Sequence, residues 1–188
     1  WKNGKDNILY IYSFGILGFK RCNNSIEYLL IQSKGLKWGT PKGRYENGES
    51  IDGIETAKRE FYEETGLNFN RDVIKCNFNN PIKLEYTIQK RKRINKTVHL
   101  FVAEIRNDAE PRIIRPKEIN DVRFFNINGV LKNVSYDSLK EKYIQLHKKL
   151  LSTIIANKNG NNSNHSNNSN NNRNSNNNGI QRPMNRNF

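Results

Sequence analysis

Cysteine is scarce: Cys22 and Cys76 are the only two in 188 residues, too few for a disulfide framework and too far apart for a metal-binding Cys motif. Free thiols in a reducing compartment are the plainest reading. Long apolar runs are missing too. No stretch approaches the roughly 20 apolar residues of a membrane helix, and the start lacks the pattern of a signal peptide. The chain opens with Trp1, which leaves open what precedes it. Acidic residues are absent from Asn157 onward, where Asn, Ser and Gly alternate with scattered Arg and no apolar periodicity offsets the entropy of ordering. These absences predict a soluble, cytoplasmic protein with no membrane partner, folded over residues 1–156 and ending in a disordered Asn-rich tail over 157–188.

The formal net charge is +14. Lys158, Arg173, Arg182 and Arg186 carry four of those charges in the tail, so +10 belongs to residues 1–156. A polyanionic partner is implied, satisfied by a nucleotide or polyphosphate substrate and used more fully by RNA. The densest basic run, Gln89 to Arg93, falls between two strand-like stretches. Lys90 and Arg91 are therefore expected on an exposed loop, where they either grip phosphate or simply face water.

Apolar, β-rich stretches predict strands over Ile8 to Phe19, Glu27 to Gln32, Val73 to Phe78, Ile82 to Ile88, Val98 to Ile105 and Val122 to Ile127. A helix is expected from about Asp52 to Thr65, and a closing amphipathic helix carries Leu139, Tyr143, Leu146, Leu150 and Ile154. The order is α/β or α+β.

The richest segment is Arg59-Glu60-Phe61-Tyr62-Glu63-Glu64-Thr65-Gly66-Leu67, with Gly43 and Glu49 upstream. Spacings of three and four place Glu60, Glu63 and Glu64 on one helix face. Like charges there repel, and a cation would reverse the sign of the interaction. Mg²⁺ takes oxygen ligands and keeps several waters, so a few carboxylates plus phosphate oxygens suit it. Arg59 can pair with a carboxylate and hold its rotamer. Without further context, a solvated acidic helix face would explain the same residues.

The context resembles the Nudix hydrolase signature, G-x5-E-x7-R-E-U-x-E-E-x-G-U with U a bulky apolar residue. Arg59, Glu60, Phe61, Glu63, Glu64, Gly66 and Leu67 fit its second half, and Gly43 to Glu49 fits the first spacing. Nine residues rather than seven separate Glu49 from Arg59. The extra pair falls near Asp52, which with Glu55 resembles a capping box that would absorb the insertion before the helix. Glu49 is the residue whose family role the insertion puts in question.

The resemblance implies an α/β/α sandwich around a mixed sheet and a phosphohydrolase using Mg²⁺ or Mn²⁺. It implies metal ligands at Glu60, Glu63, Glu64 and the Gly43 carbonyl, a positioning role for Arg59, and a general base at Glu118 or one of the helix carboxylates, Glu63 included. Glu104 and Glu110 are weaker candidates for the base. In the loop Trp38-Gly39-Thr40-Pro41-Lys42-Gly43-Arg44, Pro41 and the two glycines set a tight path, Lys42 and Arg44 can contact phosphate, and Trp38 either stacks on a base or anchors packing.

Two branches of the family share the flanks. Asn24 to Ser33, Glu55-Thr56-Ala57 and Lys96-Thr97-Val98 resemble diadenosine tetraphosphate hydrolases. The W-G-T-P-K-G-R loop and Lys117 to Phe125 resemble messenger RNA decapping enzymes. Dinucleoside polyphosphate hydrolysis is the leading expectation, since that resemblance is the longer. Decapping, diphosphoinositol polyphosphate hydrolysis and a catalytically idle domain that only binds nucleotide or RNA are the alternatives.

Overall fold

The computed structural model describes residues 8–22, 25–46, 48–89 and 93–163. Seven strands among them join one mixed sheet. Strand β1 (Leu9–Cys22) is its spine, followed by β2 (Ser25–Ser33), β3 (Trp38–Gly39) and β4 (Lys42–Arg44). After helix α1 (Ile54–Thr65) and the single turn α2 (Phe69–Asp72) come β5 (Val73–Gln89), β6 (Arg93–Ile105) and β7 (Ile119–Asn126). Helices α3 (Ile127–Asn133) and α4 (Asp137–Ser163) close the order.

The path across the sheet is β3-β2-β1-β6-β5, with β4 added to β1 and β7 to β2. Strands β1 and β6 run parallel, Leu9 opposite Ile94 through Phe19 opposite Glu104, while the other pairings are antiparallel. Seven apolar or small residues in a row, Ser13 to Phe19, are buried on β1, as suits a strand covered on both faces. On one face Phe14, Ile16, Phe101 and Ala103 pack against Ala57 and Phe61 of α1. Elsewhere in the core Tyr143 of α4 stands edge-on to Tyr28 and shares a 2.9 Å hydrogen bond with the Thr40 hydroxyl.

Several boundaries differ from the sequence expectation. The two strands expected over Val73–Ile88 form one, β5, whose pairing breaks between Asn77 and Ile82, where Asn79-Asn80-Pro81 interrupts the ladder. Strands β3 and β4 and helices α2 and α3 are too short to show a period. The helix α4 backbone runs to Ser163, beyond the boundary expected after Ala156. The rest of the tail assignment, residues 164–188, lies outside the described residues, as do Lys90 and Arg91. Gln89 pairs with Arg93 across the β5–β6 hairpin, so the basic run does join two strands. No described helix is long and apolar enough to cross a membrane.

Candidate active site

Helix α1 is set by its two ends. Gly53 precedes it with φ 73°, Gly66 follows with φ 71°, and the Gly66 N–H donates to the Tyr62 carbonyl at 2.8 Å. Both positions need the left-handed backbone that glycine adopts freely. The expected capping box is present only in altered form: the helix starts at Ile54, not Asp52, because Gly53 takes the boundary position. The Asp52 carboxylate accepts from the Ile54 N–H at 2.9 Å, and Glu55 accepts from the Ser50 N–H at 2.9 Å. The two-residue insertion is thus taken up in this turn.

Across that turn, Glu49 meets Arg59. The Arg59 Nε donates to Glu49 Oε1 at 2.7 Å, one terminal nitrogen to Glu60 at 2.7 Å and Glu63 at 3.0 Å, and the other to the Arg44 carbonyl at 3.1 Å. Burial pushes the Glu49 carboxyl up, but hydrogen bonds from Arg59, Thr56 and the Glu46 N–H, with the Arg59 charge, outweigh it and hold the group down at about 2. Those bonds to Glu49, opposed by burial and joined by Glu60, raise the Arg59 guanidinium above its ordinary value. Arg59 is the hub that ties the loop before α1, strand β4 and the α1 carboxylates together.

Glu60 is buried, and burial, partly offset by Arg59, raises its carboxyl pKa. Burial likewise pushes Glu64 up to about 7, against the pull of Lys42 and of the Lys42 N–H, which donates to it at 2.7 Å. Gly43 lies against Glu60 so closely that a Cβ would land on the carboxyl group. A Cβ on Gly39, by contrast, would meet nothing within 4 Å, so only Gly43 of the two loop glycines is demanded by its neighbours.

Two residues to which the sequence assigned no role in the site complete the surroundings. Arg115 donates to Glu63 at 2.7 Å and lies 3.7 Å from Glu118. Lys96, half-buried on β6, has its ammonium pKa lowered by burial and by the charges of Lys42 and Arg44. Lys42 and Lys96 line a cleft of about 340 Å³ with Tyr86, Val98, Leu100 and Tyr136.

The remaining candidates sit apart or stand differently. Glu118 is exposed but within electrostatic reach of Glu64. Trp38 packs edge-to-face on Phe125 at 4.8 Å with the Arg123 guanidinium over its ring, which makes it a packing anchor. Glu104 pairs with Arg21 at 3.0 Å. Glu110 lies beside Arg71, Arg106 and Arg112.

As they stand, no three His, Cys, Asp or Glu side chains among the described residues converge to hold an ion. The donor set nevertheless suits a hard cation. Burial disfavours the ionised form of the Glu60 and Glu64 carboxyls, a cost that a bound cation would offset, and Gly43 leaves room where a Cβ would fill it. Arginines supply the positive charge at Glu63, whose two oxygens they share, so an ion entering there must displace at least one of those bonds.

Comparison with known proteins follows the same lines. The sequence model of a family described as NUDIX domain matches residues 11–147. The asymmetrical bis(5'-nucleosyl)-tetraphosphatase of Rattus norvegicus is 31% identical over 134 residues, covering 70% of this chain and 85% of the rat protein. Its Mus musculus counterpart is 31% identical over 136 residues, covering 71% and 87%. A crystal structure of a C. elegans Ap4A hydrolase binary complex aligns over 78% of this chain and 98% of that one, with a TM-score of 0.62 at 20% identity, a likeness of fold.

Proposed function

The chain belongs to the Nudix hydrolase family and is a pyrophosphohydrolase, and from that premise we propose that it cleaves a phosphoanhydride bond in dinucleoside polyphosphates such as diadenosine tetraphosphate, with Mg²⁺ or Mn²⁺. The observation that carries this reading is that similarity to the two tetraphosphatases extends over most of both lengths, far beyond the signature. The cationic row Lys42, Lys96 and Arg44 beside the α1 carboxylates supports it, since a polyphosphate chain needs charge along its length.

In this proposal Glu60, Glu63, Glu64 and the Gly43 carbonyl hold the ion, which when bound neutralises charge on the phosphate oxygens. Arg59 fixes the carboxylates relative to β4. Lys42, Arg44 and Lys96 hold the phosphates, and the cleft lined by Tyr86 and Tyr136 takes one nucleoside. Water attacks one phosphorus, its proton passing to Glu118. A new P–O bond forms as the anhydride P–O bond breaks, and the leaving phosphate carries off the electron pair. No covalent enzyme intermediate is needed.

The test is product analysis with Mg²⁺, offering diadenosine tetraphosphate and capped RNA at equal concentration, with Glu63→Gln as the blank. ATP and AMP with the RNA untouched is the expected result. Release of capped nucleoside diphosphate would replace this reading with decapping. Activity on neither would turn attention to inositol pyrophosphates or a binding-only role.

A further inference from the structure

Strands β1, β6 and β5 run on past the end of the α1 layer. Tyr10, Tyr12 and Phe14 of β1 stand opposite Asn95, Thr97 and His99 of β6, which in turn face Thr87, Glu85 and Lys83 of β5. All of these share one face of the sheet. Phe14 lies under α1, but Tyr10 and Tyr12 are 60% and 52% exposed, and the three β5 residues are exposed as well. The residues between them point to the opposite face, where Leu84 and Val98 are buried and Lys96 lines the substrate cleft. The uncovered face is therefore separate from the catalytic one. Two hollows on it, of about 700 and 550 Å³, both have Tyr10, Tyr12 and His99 in their walls, so they form one surface from Tyr45 and Ile51 across to Lys83 and Thr87.

The chemistry of this surface is aromatic, polar and cationic. Two residues of strand separate Tyr10 from Tyr12, about 7 Å, roughly twice the base spacing along a duplex strand. Bases resting on both rings must be unstacked from each other, which an extended single strand allows and a duplex does not. Asn95 accepts from the Thr87 hydroxyl at 3.3 Å, which leaves its amide N–H groups as donors, and Thr97 adds a hydroxyl beside it; both suit a base edge or a ribose 2'-hydroxyl. Charge matches a polyanion. Exposed Arg93 continues the Asn95, Thr97, His99 row to the end of β6, and the connection back to Gln89 is Lys90-Arg91-Lys92 in sequence. Glu85 is the acidic exception, paired with Lys83 at 2.8 Å. An apolar partner would leave the cations unmatched, and a compact anion would leave the rings unused.

We propose that the Tyr10–Tyr12 face of the sheet binds single-stranded RNA, with successive bases on the two tyrosines and the backbone running toward Arg93. Binding there needs no cleavage, so RNA is held on one face while hydrolysis proceeds on the other. Stacking makes the site tolerant of sequence, because every base has a π face.

The experiment measures fluorescence anisotropy of a labelled, uncapped oligouridine RNA on the full chain, alone, annealed to its complement, and against DNA of the same length. The RNA single strand is expected to bind more tightly than either. Tyr10→Ala and Tyr12→Ala each weaken it about five- to tenfold, the lower end of what a stacked base contributes. Tyr12→Phe keeps the ring and the affinity, and Arg93→Gln lowers the slope of affinity against salt by about one. Turnover in the opposite cleft stays unchanged in all four variants, and because binding is read without turnover, it stands or falls apart from the substrate reading. Equal binding of the duplex, or full affinity in both alanine variants, would reduce the effect to net charge and overturn the site. Equal binding of DNA would overturn RNA as the partner. A dimer in sedimentation that Tyr12→Ala dissolves would give the face to a second copy of the chain instead.

Discussion

Arg115 and Glu63 form a 2.7 Å ion pair, and Arg59 holds Glu63 from the other side at 3.0 Å. The central carboxylate of the signature is therefore shared by two guanidinium groups, and only one of them belongs to the signature. A metal ion that uses Glu63 competes with Arg115. Arg115→Ala is expected to bind Mn²⁺ about two- to fivefold tighter than wild type, the scale of one partly exposed ion pair. Isothermal titration without substrate checks this. Arg106→Ala removes a cation from the same loop that pairs with Asp108 instead, and controls for charge alone. Unchanged affinity in Arg115→Ala would show that Arg115 does not compete.

Glu63→Gln should lose on the order of a hundredfold or more of metal-dependent turnover, as when one group stabilising transition-state charge is removed. Crowded carboxylates alone would predict a gain in stability from losing a charge. The two arginines reverse that expectation, because the substitution weakens both pairs. Thermal unfolding of the metal-free variant should show a loss of about 1 kcal/mol rather than a gain. Near-normal turnover would remove Glu63 from the metal site.

The hub at Arg59 was legible in part, because fixed spacing on a helix dictates which side chains meet: Arg59 and Glu63, four apart, obey it, whereas the contact of Arg59 with its neighbour Glu60 does not follow from that rule. The contact to Glu49 was not legible: it depends on how a two-residue insertion folds, and Gly53 and Asp52 absorb it in a turn that spacing alone cannot evaluate. Lys96 left a signal that could have been read. It shares a β6 face with Ile94, Val98 and Leu100, and a lysine inside an apolar alternation marks a charge held inward for a reason. Arg115 left none, since its partner Glu63 lies 52 residues earlier in the chain and only the fold joins them. The short strands β3 and β4 escaped a reading built on periodicity, although β4 carries Lys42, Gly43 and Arg44 into the site.

Gly43→Ala tests the closeness of β4 to α1. The added Cβ falls on the Glu60 carboxyl, a buried group held by Arg59, so the two elements must separate or Glu60 must leave its place. A loss of about 1–3 kcal/mol, the cost of overpacking a tight contact, is expected in denaturant unfolding. Turnover should fall more than stability explains, because Glu60 moves. Gly39→Ala, where a Cβ meets nothing, should be close to wild type in both measurements.

Glu64 makes the metal-free protein sensitive to pH near neutrality. Burial raises its carboxyl from 4.5 to about 7, so the folded state binds this proton more tightly than the unfolded state. A raised acid stabilises fully below its unfolded pKa, and that contribution is lost as pH rises through the folded value. The melting temperature of the metal-free protein should therefore fall between about pH 5 and pH 7.5, and Glu64→Gln should flatten that slope. A divalent ion binds only the ionised carboxylate, so Mg²⁺ should raise the melting temperature more at pH 8 than at pH 6. The Arg59-held Glu49 acts in a separate range: its carboxyl is lowered to about 2, so its contribution is present above pH 4.5 and disappears only as pH falls toward 2. Equal Mg²⁺ stabilisation at pH 6 and pH 8, with a metal-free slope unchanged by Glu64→Gln, would show that Glu64 neither titrates near neutrality nor takes part in holding the ion.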